Sequence, residues 1–397
     1  MEIEAQAIIR WPEQQIVPST KAKAGLIGSM VSSSLNVGIV GLGWPGERHA
    51  EAISGCSLGT VYAACDLNEE RLKVFAKTFR PTRTFTSFDQ MLQNKDLDAI
   101  VISLPNSLHY PCSLKALQAD KHVLCEKPPT MNAAQMRTLH EEAQKRGLIY
   151  YFGRQMRFSP AMQAARRLVA ERRLGEIYFS ETMWMRSRGT PTGLDGWFTD
   201  RSKAGGGVLV DLGIHAIDAA WYLMGTPEPR AVSAQTYQKF PQLAKDRTFD
   251  VEDNAFGMIR FANGATLQFK TSWSANLTDE IPINPERGRS LLTTTVYGPR
   301  GSLKVTDVFK IDAVLCPSAL AFFEDEAGDL IKREIEIEDL RGDALRSYEF
   351  AEQARNFLLS IRGDEPAINS SSQALQLMEM LDATYRSSHM GKEVLID

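Results

Sequence analysis

Lys127, Asp211 and His215 are the residues whose types and surroundings most suggest chemistry in this chain of 397 residues. Asp211 and His215 stand four apart in Gly205-Gly206-Gly207-Val208-Leu209-Val210-Asp211-Leu212-Gly213-Ile214-His215, so on a helix they share a face. The three glycines ahead of them let a ligand or another backbone come close. Histidine suits proton abstraction near neutrality because its ordinary pKa is about 6.5. A surface ion pair is the plain alternative for the two. Metal ligation is not expected, since no third ligand stands at a suggestive spacing. Lys127 lies in Cys125-Glu126-Lys127-Pro128-Pro129, directly after an apolar run. An ammonium there is placed to hydrogen-bond a substrate oxygen and stabilise alkoxide character as hydride leaves. Glu126 reads as a surface carboxylate or a partner for Lys127.

Hydride needs an acceptor, and the chain supplies a place for one. Val37-Gly38-Ile39-Val40 runs into Gly41-Leu42-Gly43-Trp44-Pro45-Gly46, a Gly-x-Gly-x-x-Gly between a strand and a helix. Gly41 suits a tight turn, Gly43 a close approach to a pyrophosphate, and Gly46 close packing of helix on sheet. The helix N-terminus offers free N–H groups to phosphate. Trp44 and Pro45 sit inside the fingerprint, where a first-turn proline loses only an N–H that has no partner. The next apolar run, residues 61–65, ends at Asp66, 20 positions after Gly46. A carboxylate there accepts hydrogen bonds from a ribose 2′-OH and repels a 2′-phosphate, which favours NAD over NADP. Asp66 as a helix cap is the alternative.

The elements that must position these groups follow from the hydrophobic pattern. From 37 to about 150, apolar runs at 37–40, 61–65, 84–86, 99–103, 122–125 and 149–152 alternate with helical stretches. Such continuously apolar strands mean a doubly wound α/β domain with a parallel sheet covered on both faces. Ligands bind beyond the carboxyl ends of its strands, where Leu104-Pro105-Asn106-Ser107-Leu108-His109 and Glu126-Lys127 fall. Pro105, Asn106, His109 and Glu126 therefore join the glycines, Trp44, Pro45, Asp66 and Lys127 as expected cofactor contacts. After about 155 the rhythm changes. Helices at 159–172 and 208–224 are followed by strand-like runs at 231–238, 254–261, 265–274, 292–297 and 301–306, with a hairpin turn at Asn263-Gly264. This predicts an α+β domain with an open, largely antiparallel sheet, closed by helices at 344–361 and 371–386. The domains expected are 35–155 and 156–397, with 1–34 as an N-terminal extension.

A net charge of −4 gives no general attraction to nucleic acid or anionic membranes, and no apolar stretch approaches a membrane span. Five scattered cysteines without Cys-x-x-Cys argue against disulfides and structural zinc. Cytoplasmic residence is expected.

Taken together, the fingerprint at 41–46, Pro105-Asn106 with His109, Glu126-Lys127-Pro128 and the Gly-Gly-Gly-x-Leu-x-Asp-x-Gly-x-His motif at 205–215 resemble the Gfo/Idh/MocA oxidoreductases, over roughly 36–397. The resemblance implies a Rossmann domain followed by an α/β domain whose open sheet often forms an oligomer interface, here a homodimer or homotetramer. It implies Lys127, Asp211 and His215 as the catalytic set: His215 takes the proton of a secondary hydroxyl, Lys127 bonds the reacting oxygen, and Asp211 orients substrate or lysine. Substrate contacts are expected from Arg154, Arg186 and Trp197 as well as Asp211 and His215. Indole faces suit sugar C–H surfaces, and arginines suit hydroxyls or carboxylates. The expected substrate is a sugar, glycoside or cyclitol. The family also implies two other uses of the fold: a tightly held nicotinamide in a glycoside-cleaving or dismutating cycle, and a non-catalytic dinucleotide-binding regulator.

Overall fold

Two sheets organise the chain, and each begins from a different pattern of burial. The computed structural model describes residues 34–187, 189–191, 194–244, 247–275, 283–284, 288–307, 318–324, 330–335, 340 and 342–396. The expected extension at 1–34 lies outside these, apart from Ser34.

The first sheet comprises β1 (Leu35–Val40), β2 (Gly59–Cys65), β3 (Arg83–Phe85), β4 (Ala99–Ile102), β5 (His122–Cys125) and β6 (Tyr150–Phe152), in the order β3-β2-β1-β4-β5-β6. All its pairings are parallel. Every residue of β4 and β6 is buried, as strands covered on both faces require. Helices α1 (Trp44–Ser54), α2 (Glu69–Phe79), α3 (Phe88–Leu92), α4 (Asn106–Gln118) and α5 (Ala133–Arg146) make the crossovers. Asn68, Ser87 and Asn132 cap α2, α3 and α5 through their side chains, each satisfying an otherwise orphaned N–H. Asn68 thereby removes the alternative reading of Asp66 as the cap of α2. The strand order reverses between β1 and β4, so the carboxyl ends of those strands frame the crevice where a dinucleotide binds.

The second sheet is built after α6 (Pro160–Ala170). Its strands are β7 (Phe179–Arg186), β8 (Pro229–Tyr237), β9 (Asn254–Phe261), β10 (Thr266–Ser272), β11 (Ile283–Asn284), β12 (Gly288–Gly298), β13 (Gly301–Asp307), β14 (Ser318–Glu324), β15 (Leu330–Ile335) and β16 (Val394–Leu395). The order is β15-β14-β13-β12-β7-β10-β9-β8-β16, with β11 on β12. Within this sheet only β7 and β10 pair in parallel among the described strands. The hairpin expected at Asn263-Gly264 joins β9 to β10, with Gly264 at φ +85°. Strands β14 and β15 go beyond what the pattern predicts. The run Ala319-Leu320-Ala321-Phe322-Phe323 is short, apolar and without alternation, which does not separate strand from helix.

Short helix α7 (Arg201–Ala204) leads into the glycine triplet, and α8 (Ile214–Leu223) lies across β7, β10 and β12. The sequence predicts one helix over 208–224. Instead a wide π-type turn at Leu209–Gly213 precedes α8. Two long helices follow, α9 (Gly342–Arg362) and α10 (Ser371–Met390). Helix α9 returns to the first sheet: Phe350, Phe357 and Leu358 share one buried cluster with Val37, Ile39 and Ile53.

Candidate active site

The turn from β1 into α1 forms a cradle by leaving things out. Gly41 has φ +83°, a conformation that disfavours side chains, and a Cβ on it would sit 2.3 Å from the Ser103 carbonyl oxygen. A Cβ on Gly46 would lie 2.1 Å from the Gly41 carbonyl oxygen, so helix meets turn at glycine contact. Gly43 differs: a Cβ there would meet no atom within 4 Å. That open space lies at the N-cap of α1, where no side chain satisfies the first-turn N–H groups and Pro45 follows within the turn. Asp66 closes one side, its Oδ2 accepting from Leu42 N at 2.9 Å and from Arg71 Nη1 at 3.2 Å. Its Oδ1 accepts from Asn68 N at 2.8 Å. A pyrophosphate fits this cradle in charge and in space. Trp44 stands at the rim, half exposed, edge-on to Phe350 and faced by the guanidinium groups of Arg48 and Arg346.

The loops after β4 and β5 are locked together. His109 is buried, its Nδ1 lying 2.6 Å from the Pro128 oxygen and its Nε2 2.7 Å from the Leu104 oxygen. It ties one strand-end loop to the other, so its reading as a cofactor contact is corrected: both ring nitrogens serve the backbone. Asn106, first residue of α4 after Pro105, sends Nδ2 to the Ala204 oxygen at 2.9 Å, joining this loop to the segment before the glycine triplet. Glu126 is no surface carboxylate. Its Oε1 lies 2.8 Å from Nε2 of His49, a fully buried residue of α1, and its Oε2 accepts from Lys127 N at 3.2 Å. Burial pushes the Glu126 carboxyl up, but His49 and Lys127 outweigh it and hold the pKa below its ordinary value.

Lys127 reaches from this loop to the turn that precedes α8. Its Nζ lies 3.1 Å from Asp211 Oδ1 and 3.3 Å from the Asp211 carbonyl oxygen. The other carboxylate oxygen of Asp211 accepts from Trp273 Nε1 at 2.9 Å. Burial raises the Asp211 pKa, yet the charges of Lys127 and Arg186 and the bonds from Trp273 and Lys127 carry it below the ordinary value. Trp273 is the residue that sequence reasoning missed here. It follows β10 by one position and carries no motif, so only the fold brings it to Asp211.

Asp211 sits in the wide turn and His215 on the first turn of α8. Gly207 lets this segment approach the backbone before β9, because a Cβ there would lie 1.9 Å from the Glu252 oxygen. Glu252 fixes it further, Oε1 accepting from Gly207 N at 2.9 Å, Leu209 N at 3.0 Å and Tyr385 OH at 2.9 Å.

Arg154 corrects an expectation. It has no exposed surface, and its guanidinium is spent on Asp218 and His215 instead of facing a substrate. Asp218 is fully buried and also binds Arg157, at 2.5 and 3.0 Å. Arg157 is thus a structural ion-pair partner, and Arg154 is placed behind the site. Trp184 is core, with Nε1 on Ser290 Oγ at 3.2 Å. Arg186 faces Asp211 and His215 by charge, and lies over the Trp184 ring. Trp197 is part-exposed and stacked on Phe198. Arg188 lies outside the described residues.

Comparison with known proteins places this arrangement. The profile described as the oxidoreductase family NAD-binding Rossmann fold matches residues 35–154, and that described as the GFO/IDH/MocA C-terminal domain matches 162–304. The D-glucoside 3-dehydrogenase of Escherichia coli strain K12 is 30% identical over 92% of this chain and 99% of its own length. GenD2 from gentamicin A biosynthesis, solved in complex with NAD, is 26% identical, covers 94% of this chain and 100% of its own, and has a TM-score of 0.74. A levoglucosan dehydrogenase solved with NADH and levoglucosan shares the fold at a TM-score of 0.78 and 23% identity, over 92% of this chain and 100% of its own. With both of its parts matched and a relative aligned almost end to end, this chain belongs to the GFO/IDH/MocA family of oxidoreductases, and its first sheet is that family's NAD-binding Rossmann fold.

Proposed function

We propose that the protein oxidises a secondary hydroxyl of a sugar, glycoside or cyclitol at the expense of NAD, or reduces the matching ketone. The observation that carries this is the meeting of Lys127 Nζ and Asp211 Oδ1 at 3.1 Å, beyond the carboxyl ends of the dinucleotide-binding strands, with His215 one turn on. Bound NAD supplies the hydride acceptor. Gly41, Gly43, Gly46 and Asp66 are the residues that would hold it. Lys127 and His215 provide the groups that bond the reacting oxygen, and Asp211 holds Lys127 in place. Arg186 and Trp197 are the proposed substrate wall. The glucoside dehydrogenase relative, aligned over nearly its whole length, supports a glycoside as substrate.

Two domains, meeting near 155, a homo-oligomeric state and a cytoplasmic home belong to the same reading. Tyr237, Met258 and Leu395 stand exposed on the second sheet, which supports contact between copies through that face. Among the described residues no helix is long and apolar enough to cross a membrane, and Cys56, Cys65, Cys112 and Cys125 are free thiols.

A second reading has one observation behind it. An aldose–aldose oxidoreductase from Caulobacter crescentus is 25% identical with a TM-score of 0.74 over 91% of this chain and 100% of its own, which supports a cycle in which nicotinamide is reduced and reoxidised without release. The test is NADH formation by purified protein with NAD and a panel of glycosides, sugars and cyclitols. Turnover on one class, lost in Lys127→Ala by about 100-fold or more, is the expected result. No NADH from wild type, with cofactor retained through purification and ketone exchanged between two sugars, would favour the second reading.

A further inference from the structure

The hydrogen-bond ladder of the first sheet ends one residue before Lys127. Glu126 N still donates to the Ile102 oxygen of β4 at 2.9 Å, and Gly153 N, just after β6, to the Cys125 oxygen at 2.6 Å. Lys127 N comes next, and Pro128 and Pro129 behind it have no N–H to give. The Lys127 N–H donates instead to its neighbour's side chain, Glu126 Oε2, at 3.2 Å. The carbonyl oxygens that follow are also met by side chains, that of Pro128 by His109 and that of Pro129 by the Tyr150 hydroxyl. Where the sheet stops, a carboxylate holds the backbone of Lys127.

That carboxylate is itself held from α1. His49, on the second turn of the helix, has no exposed side-chain surface, and its Nε2 meets Glu126 Oε1 at 2.8 Å. An ionised carboxylate only accepts, so Nε2 is the donor. His49 Nδ1 has no hydrogen-bond partner among the described residues, so the bond to Glu126 is the one this ring makes there. Phe350 of α9 lies edge-on to the imidazole at 4.9 Å. Gly153 backs the carboxylate, since a Cβ there would lie 3.3 Å from Glu126 Cδ.

We propose that His49 is a positioning residue for Lys127: it fixes Glu126, whose other oxygen sets the Lys127 backbone and so the place from which Nζ reaches the reacting oxygen. This rests on the dehydrogenase reading, in which Lys127 bonds that oxygen. The cradle for the pyrophosphate is the first turn of α1, and His49 stands three residues beyond Gly46. One helix thereby fixes the hydride acceptor and, through Glu126, the lysine. Their relative placement matters, because an error of about 1 Å can cost about 100-fold in rate. A buried ion pair seldom gains stability over apolar residues of the same volume, so packing alone does not account for an imidazole and a carboxylate here.

The far end of Lys127 is supported in the same form. Asp211 gives one oxygen to Lys127 Nζ at 3.1 Å and the other to Trp273 Nε1 at 2.9 Å. Glu126 gives one oxygen to Lys127 N and the other to His49 Nε2. The lysine is anchored at its backbone and at its ammonium by two carboxylates, and a ring N–H stops each from turning.

The test is ¹H–¹³C correlation spectroscopy of the NAD-loaded protein labelled at lysine Cε, with Lys127 assigned by its loss in Lys127→Ala. Wild type is expected to show a dispersed Lys127 signal with two inequivalent Hε protons, as anchoring at both ends requires. His49→Leu fills the volume without the N–H, and its Lys127 signal is expected to collapse toward that of a mobile lysine. His49→Gln returns a donor at the place of Nε2 and is expected to restore the wild-type signal. On the glycoside that wild type turns over fastest, the Leu variant is expected to lose about tenfold in kcat with KM for NAD unchanged, and the Gln variant to recover to within about threefold of wild type. A mobile Lys127 in wild type, an unchanged signal or kcat in folded His49→Leu, or a Gln variant as impaired as the Leu variant would overturn the proposal. Should His49→Leu not fold, Glu126→Leu, which buries no charge, replaces it with the same expectation. The spectra require no turnover, so a failure of this role and a failure of the dehydrogenase reading are told apart.

Discussion

At the scale of single residues, the site is a short chain of hydrogen bonds running from a tryptophan through a carboxylate to an ammonium. Trp273 Nε1 holds one oxygen of Asp211 and Lys127 Nζ the other. Removing the indole N–H in Trp273→Phe leaves a buried carboxylate oxygen without its donor. We expect kcat/KM to fall about tenfold, equivalent to about 1.4 kcal/mol, with NAD affinity unchanged. An unchanged kcat/KM would show that Lys127 alone orients Asp211. The sequence makes Lys127, Asp211 and His215 legible because each stands in a short motif of unusual composition. It conceals Trp273, which is separated from Asp211 by 62 positions, and it misassigns Arg154. An arginine after a strand reads the same whether its guanidinium faces a substrate or a buried aspartate. Only the placement of Asp218 on α8, one turn beyond His215, separates the two.

At the scale of elements, the turn from β1 to α1 separates what folding needs from what binding needs. Gly41 and Gly46 are required by contacts within the protein, whereas the space over Gly43 is empty. Gly43 has φ −75°, which alanine adopts freely. Gly43→Ala is therefore expected to leave the Tm of the cofactor-free protein within a degree or two while weakening NAD binding by about 100-fold, since a methyl would occupy the place of the pyrophosphate. Calorimetry together with NAD titration checks both halves, and a Tm loss matching the loss of affinity would refute the separation. The parallel sheet was legible from its continuous apolar runs, and so was the antiparallel character of the second. The wide turn at Leu209–Gly213 was not. Its residues suit an ordinary helix, and no local pattern announces the departure; Glu252 takes the N–H groups of Gly207 and Leu209 at its start. Wide turns of this kind often mark functional sites, and this one carries Asp211.

At the scale of the whole molecule, the two sheets are fastened through the site itself. Lys127 with Asp211, Asn106 with Ala204 and Arg154 with Asp218 each join a loop of the first sheet to the stretch that runs from α7 into α8. Helix α9 completes the first sheet's core from the far end of the chain, a contact no local pattern announces. Glu252 is the buried acid that links this segment to Tyr385 of α10. Burial raises its pKa above the ordinary value. With the folded value above the unfolded one, its contribution to stability is fully present below the unfolded pKa and is lost as pH rises through the folded pKa. Glu252→Gln keeps an accepting oxygen and has nothing to ionise. The Tm of the variant minus that of wild type is therefore expected to become more positive from about pH 4.5 to pH 8. A difference independent of pH, or one that falls, would contradict the raised pKa.

The central claim is that hydride leaves a carbon of a hydroxylated substrate at the site marked by Lys127. Its most direct measurement is transfer of deuterium from a carbon-deuterated glucoside to nicotinamide, read by mass spectrometry of both free and protein-bound cofactor. Deuterium on the cofactor with wild type, and none above background with a folded, NAD-binding Lys127→Ala, is the expected result. It holds whether the cofactor is released or retained. Deuterium transfer that survives in Lys127→Ala would contradict the assignment of the site.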